Sequence, residues 1–500
     1  MKLPRIILGL SLIGVAALAS PTEHRFAFGS GPAAGGLMPV HPDTAYSSAR
    51  GYGFEAGAAV VERDGCSTSE RPFFFSVDLP EGNYRVQLLL GDPAGESQTV
   101  VKAESRRLML ESVATKKGEI ATATFLVNLR TPQIPGGGQV RLKPREIGAL
   151  HWDKRLTLEF NGTRPCVAAL EITKVDDAPS VFLAGDSTVT DQQIEPYAAW
   201  GQMLPAFFGP TVAIANHAES GETIKSFVGE RRLERVLSLI KAGDFLFLQF
   251  AHNDQKPGPD HLDAATGYKD YVRRSVADVR AKGAFPVLVT SMERRHFDAA
   301  DRHIVPSLAG YPQALREVGA ELNVPVIDLN ALSISFYEAL GPEDAKQAFV
   351  HFSANSYPGQ DKALADDTHF SSYGAYQLAK CVVEDIKARV PALAAHLRPG
   401  LPAYDPAHPD RFADWHLPAS PPMPVVNPRA VERPDAPAGP AVRAGASARR
   451  IFHRYPCELA VVASGHPRRR HDPRRPATRA PSDRAGDRRR VHEPPPGPRL

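Results

Sequence analysis

The hydrophobic pattern of this chain changes near residue 176, and that change restricts the possible folds more than any other feature. After it, short apolar runs alternate with amphipathic helical segments, and these runs begin at Val181, Thr211, Phe245, Phe285 and Val324. Near-continuous apolar strands separated by helices are typical of a parallel sheet covered by helices on both faces. We therefore predict an α/β domain over residues 177–397.

The preceding residues, 20–176, predict an all-β domain. Residues 72–79 and 84–90 are strand-like runs joined by a short turn, and residues 155–160 and 166–172 repeat this arrangement. Each pair has the pattern of a β-hairpin. Short strands between frequent Gly and Pro turns are typical of a β-sandwich, and we find no convincing helical periodicity in this region.

The first 19 residues have the organisation of a secretory signal peptide. Lys2 and Arg5 are followed by an apolar segment that is too short to span a membrane, and Ala17 and Ala19 satisfy the rule for cleavage between small residues. A buried N-terminal helix is the alternative interpretation. We expect an exported protein, secreted or periplasmic, that has no membrane segment once residues 1–19 are removed.

The C-terminal region, residues 398–500, has a different composition from the rest of the chain. It holds 21 of the 46 prolines, and residues 401–500 contain 18 Arg, no Lys and 10 Asp or Glu. This composition predicts a largely disordered tail. Such a tail could bind anionic polymers, but an unselected linker without a function accounts for the same composition.

Cysteine spacing gives no support to a metal site. Cys66, Cys166, Cys381 and Cys457 form no C-x-x-C pair. Cys66 and Cys166 lie in the same predicted domain and could form a disulfide in an oxidising compartment, although the sequence does not decide this. Cys381 lies in an amphipathic helical stretch, which indicates a small core residue.

Two motifs far apart in the α/β region carry residues that are useful only together. Ser187 follows the first predicted strand, within the sequence Gly-Asp-Ser-Thr at 185–188, and His369 comes 182 positions later, three residues after Asp366. A serine hydroxyl becomes an effective nucleophile when a neighbouring imidazole accepts its proton. A carboxylate can fix the tautomer of that imidazole. The spacing therefore predicts a fold that brings Ser187 and His369 into hydrogen-bond reach.

Two further strand ends carry candidates for an oxyanion hole. Gly221 has no side chain to block the approach of an acyl oxygen to its backbone amide, and Asn253 offers a neutral N–H donor. Ligands of parallel sheets bind at the carboxyl ends of the strands, where both residues are expected. Each element alone is weak, since a lone Asn is usually a turn residue and Asp366-x-x-His369 could be only a helix N-terminus.

Taken in order, these blocks resemble the GDSL or SGNH hydrolase family over roughly residues 178–392. The match is closest to the rhamnogalacturonan acetylesterase branch, which has Thr, as at Thr188, in place of the Leu of the eponymous motif. The resemblance implies an α/β, three-layer flavodoxin-like SGNH hydrolase domain. It assigns Ser187 as nucleophile, His369 as base and Asp366 as the carboxylate that orients the base.

The same resemblance implies an oxyanion hole made by the backbone amides of Ser187 and Gly221 and the side-chain amide of Asn253. The N-terminal sandwich is similar to the galactose-binding-like modules attached to such enzymes. It could hold polysaccharide, or it could only brace the catalytic domain.

Several neighbouring residues have competing interpretations. Asp367 could replace Asp366 as the orienting group, but we expect it to bind loop amides. His252 is expected to brace the loop rather than to react. Arg294 and Arg295 follow the fourth predicted strand and could bind galacturonate carboxylates, while a surface salt bridge explains them equally well.

We therefore expect a secreted serine esterase that deacetylates plant cell-wall polysaccharide, above all rhamnogalacturonan or another pectin. Alternatives are an acetylxylan esterase, a general short-chain or lipid esterase, and a non-catalytic carbohydrate-binding protein. No G-x-S-x-G, H-E-x-x-H or Walker motif supports another hydrolase class. We expect no cofactor and no metal, no nucleic-acid or membrane partner, and a monomer.

Overall fold

The computed structural model describes residues 23–30, 36–63, 65–300 and 302–422, all of which belong to one compact unit. The predicted signal peptide, residues 1–19, lies outside the described residues. Among the helices of the described part, none is both long enough and apolar enough to cross a membrane.

The N-terminal part is built mainly from strands, as predicted. Its strands are β1 (Glu23–Phe28), β2 (Met38–Val40), β3 (Tyr52–Phe54), β4 (Val61–Arg63), β5 (Cys66–Thr68), β6 (Phe73–Asp78), β7 (Gly82–Leu90), β8 (Ser97–Ala103), β9 (Arg107–Thr115), β10 (Ala121–Leu129), β11 (Arg155–Asn161) and β12 (Cys166–Val175). One sheet has the order β10-β7-β12-β1-β2, with β5 paired to β12 and β4 to β5, and the other has the order β3-β6-β11-β8-β9.

The two sheets share one apolar core, which makes this part a sandwich. Phe26 and Leu88 come from the first sheet, Phe75 and Leu158 come from the second, and all four are buried in the same cluster. The similarity to galactose-binding modules stays a prediction.

The two predicted hairpins are wrong. β6 pairs with β3 and β11, whereas β7 pairs with β10 and β12, so the chain crosses from one sheet to the other between β6 and β7. β11 and β12 likewise lie in different sheets. Alternation along a strand shows which face is buried, but it does not identify the neighbouring strand, because both sheets turn an apolar face to the same core.

The α/β part follows, with a five-stranded sheet and helices on both faces. Its strands are β13 (Ser180–Gly185), β14 (Ala213–Asn216), β15 (Phe245–Gln249), β16 (Phe285–Val289) and β17 (Val326–Ile327). Its helices are α1 (Trp200–Met203), α2 (Ile224–Gly229), α3 (Arg232–Leu239), α4 (Lys269–Ala281), α5 (Tyr311–Leu322), α6 (Leu329–Asp344), α7 (Ser372–Arg389) and α8 (Pro391–Ala394).

All neighbouring strands of this sheet are parallel, in the order β14-β13-β15-β16-β17. Residues along β13 alternate between two cores: Val181 and Leu183 pack with residues of α7, and Phe182 and Ala184 pack with residues of α4 and α5. An apolar strand buried on both faces is what the pattern after residue 176 predicts. The strand order is that of flavodoxin-like sheets, so the predicted three-layer α/β class is confirmed.

Two antiparallel strands after α6 carry the histidine motif to the edge of the parallel sheet. β18 (Phe349–Phe352) pairs antiparallel with β19 (Leu364–Phe370), and β19 contains Asp366 and His369. The carbonyl of Phe370 accepts a hydrogen bond from the N–H of Ala198 at 2.9 Å. Ser371 then caps α7 by accepting from the N–H of Gly374. The motif thus precedes a helix N-terminus, as its alternative interpretation predicted.

The predicted start of the disordered tail is wrong, because residues 398–422 pack against the rest of the protein. The Trp415 ring lies 4.4 Å from that of Tyr376. Lys102 Nζ donates to Pro418 O at 2.7 Å and to the hydroxyl of the buried Ser420 at 2.8 Å. A proline-rich segment can be ordered without helix or strand when aromatic anchors and side-chain donors hold it. Residues 423–500 lie outside the described part.

Three cysteines are described, and all are buried. The sulfur atoms of Cys66 and Cys166 are 2.7 Å apart. Cys381 lies within the core between the parallel sheet and α7, as its helical spacing predicted.

Candidate active site

Ser187 lies on a turn that begins directly after β13. Asp186 shapes this turn, since its Oδ1 accepts hydrogen bonds from the backbone N–H of Thr188 at 2.9 Å and from the Thr188 hydroxyl at 2.7 Å. The Asp186 carbonyl accepts from the N–H groups of Val189 and Thr190, both at 3.1 Å. Asp186 is fully buried, and burial raises the pKa of its carboxyl group. The turn therefore holds Ser187 at the carboxyl edge of the sheet.

A chain of buried hydrogen bonds explains why Thr stands at position 188. Gln249, at the end of β15, donates from Nε2 to the Thr188 hydroxyl at 2.7 Å. Its Oε1 accepts from the indole N–H of Trp200 at 2.9 Å. A leucine at this position would leave both Asp186 and Gln249 short of a partner, which is costly in a buried site. Gln249 had no motif to mark it in the sequence.

The fold brings Ser187, His369 and Asp366 into one hydrogen-bonded line. His369 Nε2 lies 2.9 Å from Ser187 Oγ, and His369 Nδ1 lies 2.7 Å from Asp366 Oδ2. An ionised carboxylate can only accept, so the proton of the neutral imidazole is on Nδ1. Nε2 is then free to accept the hydroxyl proton of Ser187, which is the arrangement that general-base activation of a serine requires.

The carboxyl group of Asp366 is held in its ionised form. Burial acts to raise the pKa of this carboxyl group. The hydrogen bond from the His369 ring and those from the backbone N–H groups of Thr368 (2.8 Å) and His369 (3.0 Å) lower it by more, so the pKa lies below its usual value. The carboxylate therefore stays charged opposite the imidazole across the neutral pH range.

Two residues that no sequence motif marks contact the catalytic residues, one at the serine and one at the histidine. Gln192 donates from Nε2 to the Ser187 carbonyl at 2.7 Å. The Tyr197 ring meets the His369 ring edge to face, with centroids 5.9 Å apart. Both belong to the segment between β13 and α1, which has no regular secondary structure and left no periodic signal.

The predicted oxyanion donors are available. In the described part of the chain, the backbone N–H groups of Ser187 and Gly221 make no hydrogen bond to another residue. Gly221 follows β14 and is solvent-exposed, and Ser187 is 8% exposed. An unpaired backbone N–H group can stabilise a developing oxyanion without prior rearrangement.

The side-chain amide of Asn253 is oriented from both ends. Its Nδ2 donates to the Glu222 carbonyl at 3.0 Å, and its Oδ1 accepts from Lys256 Nζ at 2.7 Å. Because the ammonium group of Lys256 can only donate, it determines which end of the amide is the oxygen. Nδ2 carries two hydrogens, so one remains for an oxyanion.

Arg294 and Arg295 bind protein groups in this structure, and their predicted substrate contacts stay a prediction. Arg294 Nη1 donates to the carbonyl and hydroxyl oxygens of Ser307 at 3.3 and 3.2 Å. Arg295 Nε donates to Asp367 Oδ1 at 2.6 Å, and its Nη1 donates to Pro342 O at 3.0 Å. Arg295 and Asp367 form the salt bridge that the alternative interpretation predicted.

Asp367 and His252 have structural roles. Asp367 Oδ1 accepts from Arg295 Nε and lies 2.7 Å from His351 Nε2, so its carboxylate does not bind loop amides as expected. Its backbone carbonyl accepts from the N–H of Arg295 at 2.9 Å. His252 is buried, and burial lowers the pKa of its imidazole well below the usual value. A neutral, buried ring fits the expected bracing role.

Two clusters in the described residues have three metal-ligating side chains within 4.8 Å of one another: Cys66, Asp92 and Cys166, and Glu146, His151 and Glu219. Guanidinium groups already neutralise their carboxylates. Arg164 binds Asp92 at 2.6 Å, Arg145 binds Glu219 at 2.7 Å, and Arg232 Nη1 binds Glu146 at 3.0 Å. Neither cluster contains a residue of the Ser187–His369–Asp366 line.

The sequence of this chain is similar to those of known hydrolases and esterases. The sequence profile of the GDSL-like Lipase/Acylhydrolase family matches residues 183–375. The rhamnogalacturonan acetylesterase RhgT of Bacillus subtilis (strain 168) is 43% identical over 219 residues, which cover 43% of this chain and 93% of RhgT. The uncharacterized esterase YxiM of the same strain is 29% identical over 392 residues, which cover 74% of this chain and 92% of YxiM. The match to the crystal structure of YxiM from Bacillus subtilis covers 73% of this chain and 98% of the YxiM chain, with a TM-score of 0.40 and 26% sequence identity.

The range matched by the family profile contains Ser187, Gly221, Asn253, Asp366 and His369. The identity to RhgT extends over nearly the whole of that enzyme. The chain therefore belongs to the GDSL-like lipase/acylhydrolase family, and it is a serine esterase.

Proposed function

We propose that this protein is a secreted carbohydrate esterase that removes acetyl groups from plant cell-wall polysaccharide, with acetylated rhamnogalacturonan as its substrate. The observation that carries the catalytic part is the hydrogen-bonded line from Asp366 through His369 to Ser187. The substrate class is supported by the similarity to the rhamnogalacturonan acetylesterase RhgT. Export is supported by the charge and hydrophobic pattern of residues 1–19.

In the first half of the reaction, Ser187 Oγ attacks the carbonyl carbon of the acetyl ester while His369 Nε2 takes the hydroxyl proton. The carbonyl oxygen becomes an anion and receives hydrogen bonds from the N–H groups of Ser187 and Gly221 and from Asn253 Nδ2. The bond from carbon to the sugar oxygen then breaks, and the imidazolium of His369 returns its proton to that oxygen. Asp366 stabilises the imidazolium in between.

In the second half, water attacks the acetyl group on Ser187 and gives a proton to His369 Nε2. The same three N–H donors hold the second oxyanion. When this intermediate collapses, the ester bond to Ser187 Oγ breaks, His369 returns the proton to the serine, and acetate leaves. The residues of this chain supply every proton transfer that these two steps need.

The test is acetate release by the wild-type enzyme from acetylated rhamnogalacturonan, homogalacturonan, xylan and mannan, with the Ser187→Ala variant as control. We expect the highest kcat/KM on rhamnogalacturonan and a loss of at least about 10³-fold in Ser187→Ala. A preference for xylan would replace the proposed substrate. Faster cleavage of octanoyl than of acetyl p-nitrophenyl esters would indicate a lipid esterase instead.

The non-catalytic alternative has its own signature in the same experiment. Equal polysaccharide binding by wild type and Ser187→Ala, with no acetate released by either protein, would establish a binding protein. Export is tested separately by sequencing the N-terminus of protein collected from the medium or periplasm. We expect the mature chain to begin directly after Ala19.

A further inference from the structure

The loop that carries Gly221 is a tight turn with two alternative geometries. The N–H of Glu222 donates to the Glu219 carbonyl at 3.3 Å, which closes a four-residue β-turn with Gly221 at its third position. The φ of Gly221 is 78°. Ser220, at the second position, is not among the residues of positive φ, so the positive φ of Gly221 makes this a type II turn, whereas a type I turn has a negative φ at the third position. The two types differ by a half-rotation of the central peptide, here the one between Ser220 and Gly221.

The orientation of that peptide decides whether Gly221 can act as an oxyanion donor. In a planar trans peptide, the carbonyl of Ser220 and the N–H of Gly221 point in opposite directions. Rotating the peptide by half a turn would therefore put the Ser220 carbonyl oxygen where the N–H had been. Glycine at 221 has no Cβ to disfavour either form, so the turn itself does little to choose between them.

Two cationic side chains from the N-terminal part of the chain bind the Ser220 carbonyl. Lys143 Nζ donates to Ser220 O at 2.9 Å, and Arg145 Nη2 donates to the same oxygen. Both residues lie in the connection between β10 and β11, outside the range that the family profile matches. The N–H of Gly221 consequently points away from Lys143 and Arg145.

The same two cations also hold the ends of the turn. Arg145 Nε donates to Glu219 Oε1 at 2.7 Å, and Lys143 Nζ forms an ion pair with Glu222, whose side chain is fully buried. Glu219 is the first residue of the turn and Glu222 is the last. Each cation therefore bridges the central carbonyl and one end, and a flipped peptide would lose both of its charged donors.

We propose that Lys143 and Arg145 are positioning residues for the esterase reaction, which hold the Ser220–Gly221 peptide so that the Gly221 N–H is available to the oxyanion. The N-terminal part thereby completes the active site rather than only adding a separate module. This inference rests on the proposed role of Gly221 as an oxyanion donor. Hydrogen bonds from charged donors are stronger than neutral ones, which suits them to selecting one of two nearly equal turn geometries.

The test uses the full-length enzyme and p-nitrophenyl acetate, an ester without a sugar that the two cations could bind directly. We expect Lys143→Ala and Arg145→Ala each to lower kcat about five- to tenfold and the double variant about 10²-fold, the usual loss for one oxyanion donor. KM should change less than about twofold. Lys143→Arg should keep most of the wild-type kcat, because it retains a charged donor at this position. Arg145→Lys should keep only part of it, because one ammonium nitrogen replaces the two guanidinium nitrogens that bind Glu219 and Ser220.

Arg141→Ala is the matched control. Arg141 lies in the same connection and donates from Nη2 to the carbonyl of Gly229 at 2.7 Å, away from the Gly221 turn. We expect its kcat to stay within about twofold of wild type. A boronic acid that forms a tetrahedral adduct with Ser187 should bind the double variant more weakly, in parallel with the loss of kcat.

The outcomes separate this inference from the function on which it rests. Wild-type protein that fails to hydrolyse p-nitrophenyl acetate would overturn the catalytic role of Ser187 itself. An active wild type with a double variant of equal kcat would overturn only the positioning role. An equal loss in Arg141→Ala, or a loss confined to KM, would also overturn it.

Discussion

Replacing Asn253 by alanine tests the oxyanion hole most directly. One hydrogen of its Nδ2 is committed to the Glu222 carbonyl at 3.0 Å, which leaves one for the transition state. Loss of a single preorganised donor of this kind costs about 3 kcal/mol of transition-state stabilisation, or about 10²-fold in kcat. We expect kcat for p-nitrophenyl acetate to fall by this factor, with KM nearly unchanged, because the donor acts on the oxyanion more than on the ground-state ester.

The cost of Asn253→Ala to folding should be much smaller than its cost to catalysis. The variant loses a neutral hydrogen bond to Glu222 O, worth about 1 kcal/mol, and a contact with the solvent-exposed Lys256. We expect the free energy of unfolding to fall by about 1–2 kcal/mol. Urea denaturation followed by fluorescence measures this quantity on the same protein samples.

Asn128→Ala provides a control of the same chemistry. Asn128 is 8% exposed and its Nδ2 donates to Asn83 at 2.8 Å within the sandwich, so the variant loses a comparable buried amide without touching the active site. It should lose stability but keep its kcat. A kcat for Asn253→Ala within about threefold of wild type would refute the assignment of this amide to the oxyanion hole.

Three further variants test other parts of the argument. Asp366→Asn should lower kcat by about 10³–10⁴-fold with little change in Tm, because a neutral amide no longer fixes the Nδ1–H tautomer of His369. A loss of kcat below tenfold would contradict this role of Asp366. Thr188→Val should lower the free energy of unfolding by about 2–4 kcal/mol in urea titrations, since it leaves Gln249 Nε2 without its partner and removes one of the two hydrogen bonds to Asp186 Oδ1. An unchanged midpoint would contradict the role of that hydroxyl. Asp254→Asn should stabilise the protein at pH 8 and much less at pH 5. Burial, with the charge of Asp186 adding to it, raises the pKa of Asp254 to about 7 in the folded state, so the native protein binds the extra proton and the stability of wild type falls as pH rises from about 4 to 7. The shift corresponds to about 4 kcal/mol at pH 8, and a stabilisation independent of pH would contradict it.

The sequence was sufficient for the α/β half of the fold because each of its strands is buried on both faces. Val181 and Phe182 are adjacent in sequence and enter different cores, which only a covered parallel sheet permits. The sandwich was predicted as a class but not in its pairing. The turns before β7 and β12 are short enough for hairpins. Whether the chain forms a hairpin there or passes to the other sheet depends on how the two sheets pack around their shared core.

The composition of the C-terminal region predicted disorder from residue 398, and this was wrong for a related reason. Prolines and the lack of periodicity exclude helices and strands, but they do not exclude an extended segment held by its surroundings. Tyr376 and Lys102, which contact residues 415–420, lie far away in sequence. Nothing local to the segment indicates that these partners are present.

The sequence by itself determined the chemistry of the site, since Ser187, Asp366 and His369 are recognisable from residue type, order and position after strands. Tertiary structure alone decided which polar groups surround them. A short motif specifies the groups that react, because the reaction demands particular atoms at fixed local spacing. The donors that orient those groups, such as Gln249 and Lys143, can lie anywhere in the sequence, because each only has to hydrogen-bond to one oxygen atom. Their positions therefore follow from the packing of the whole fold.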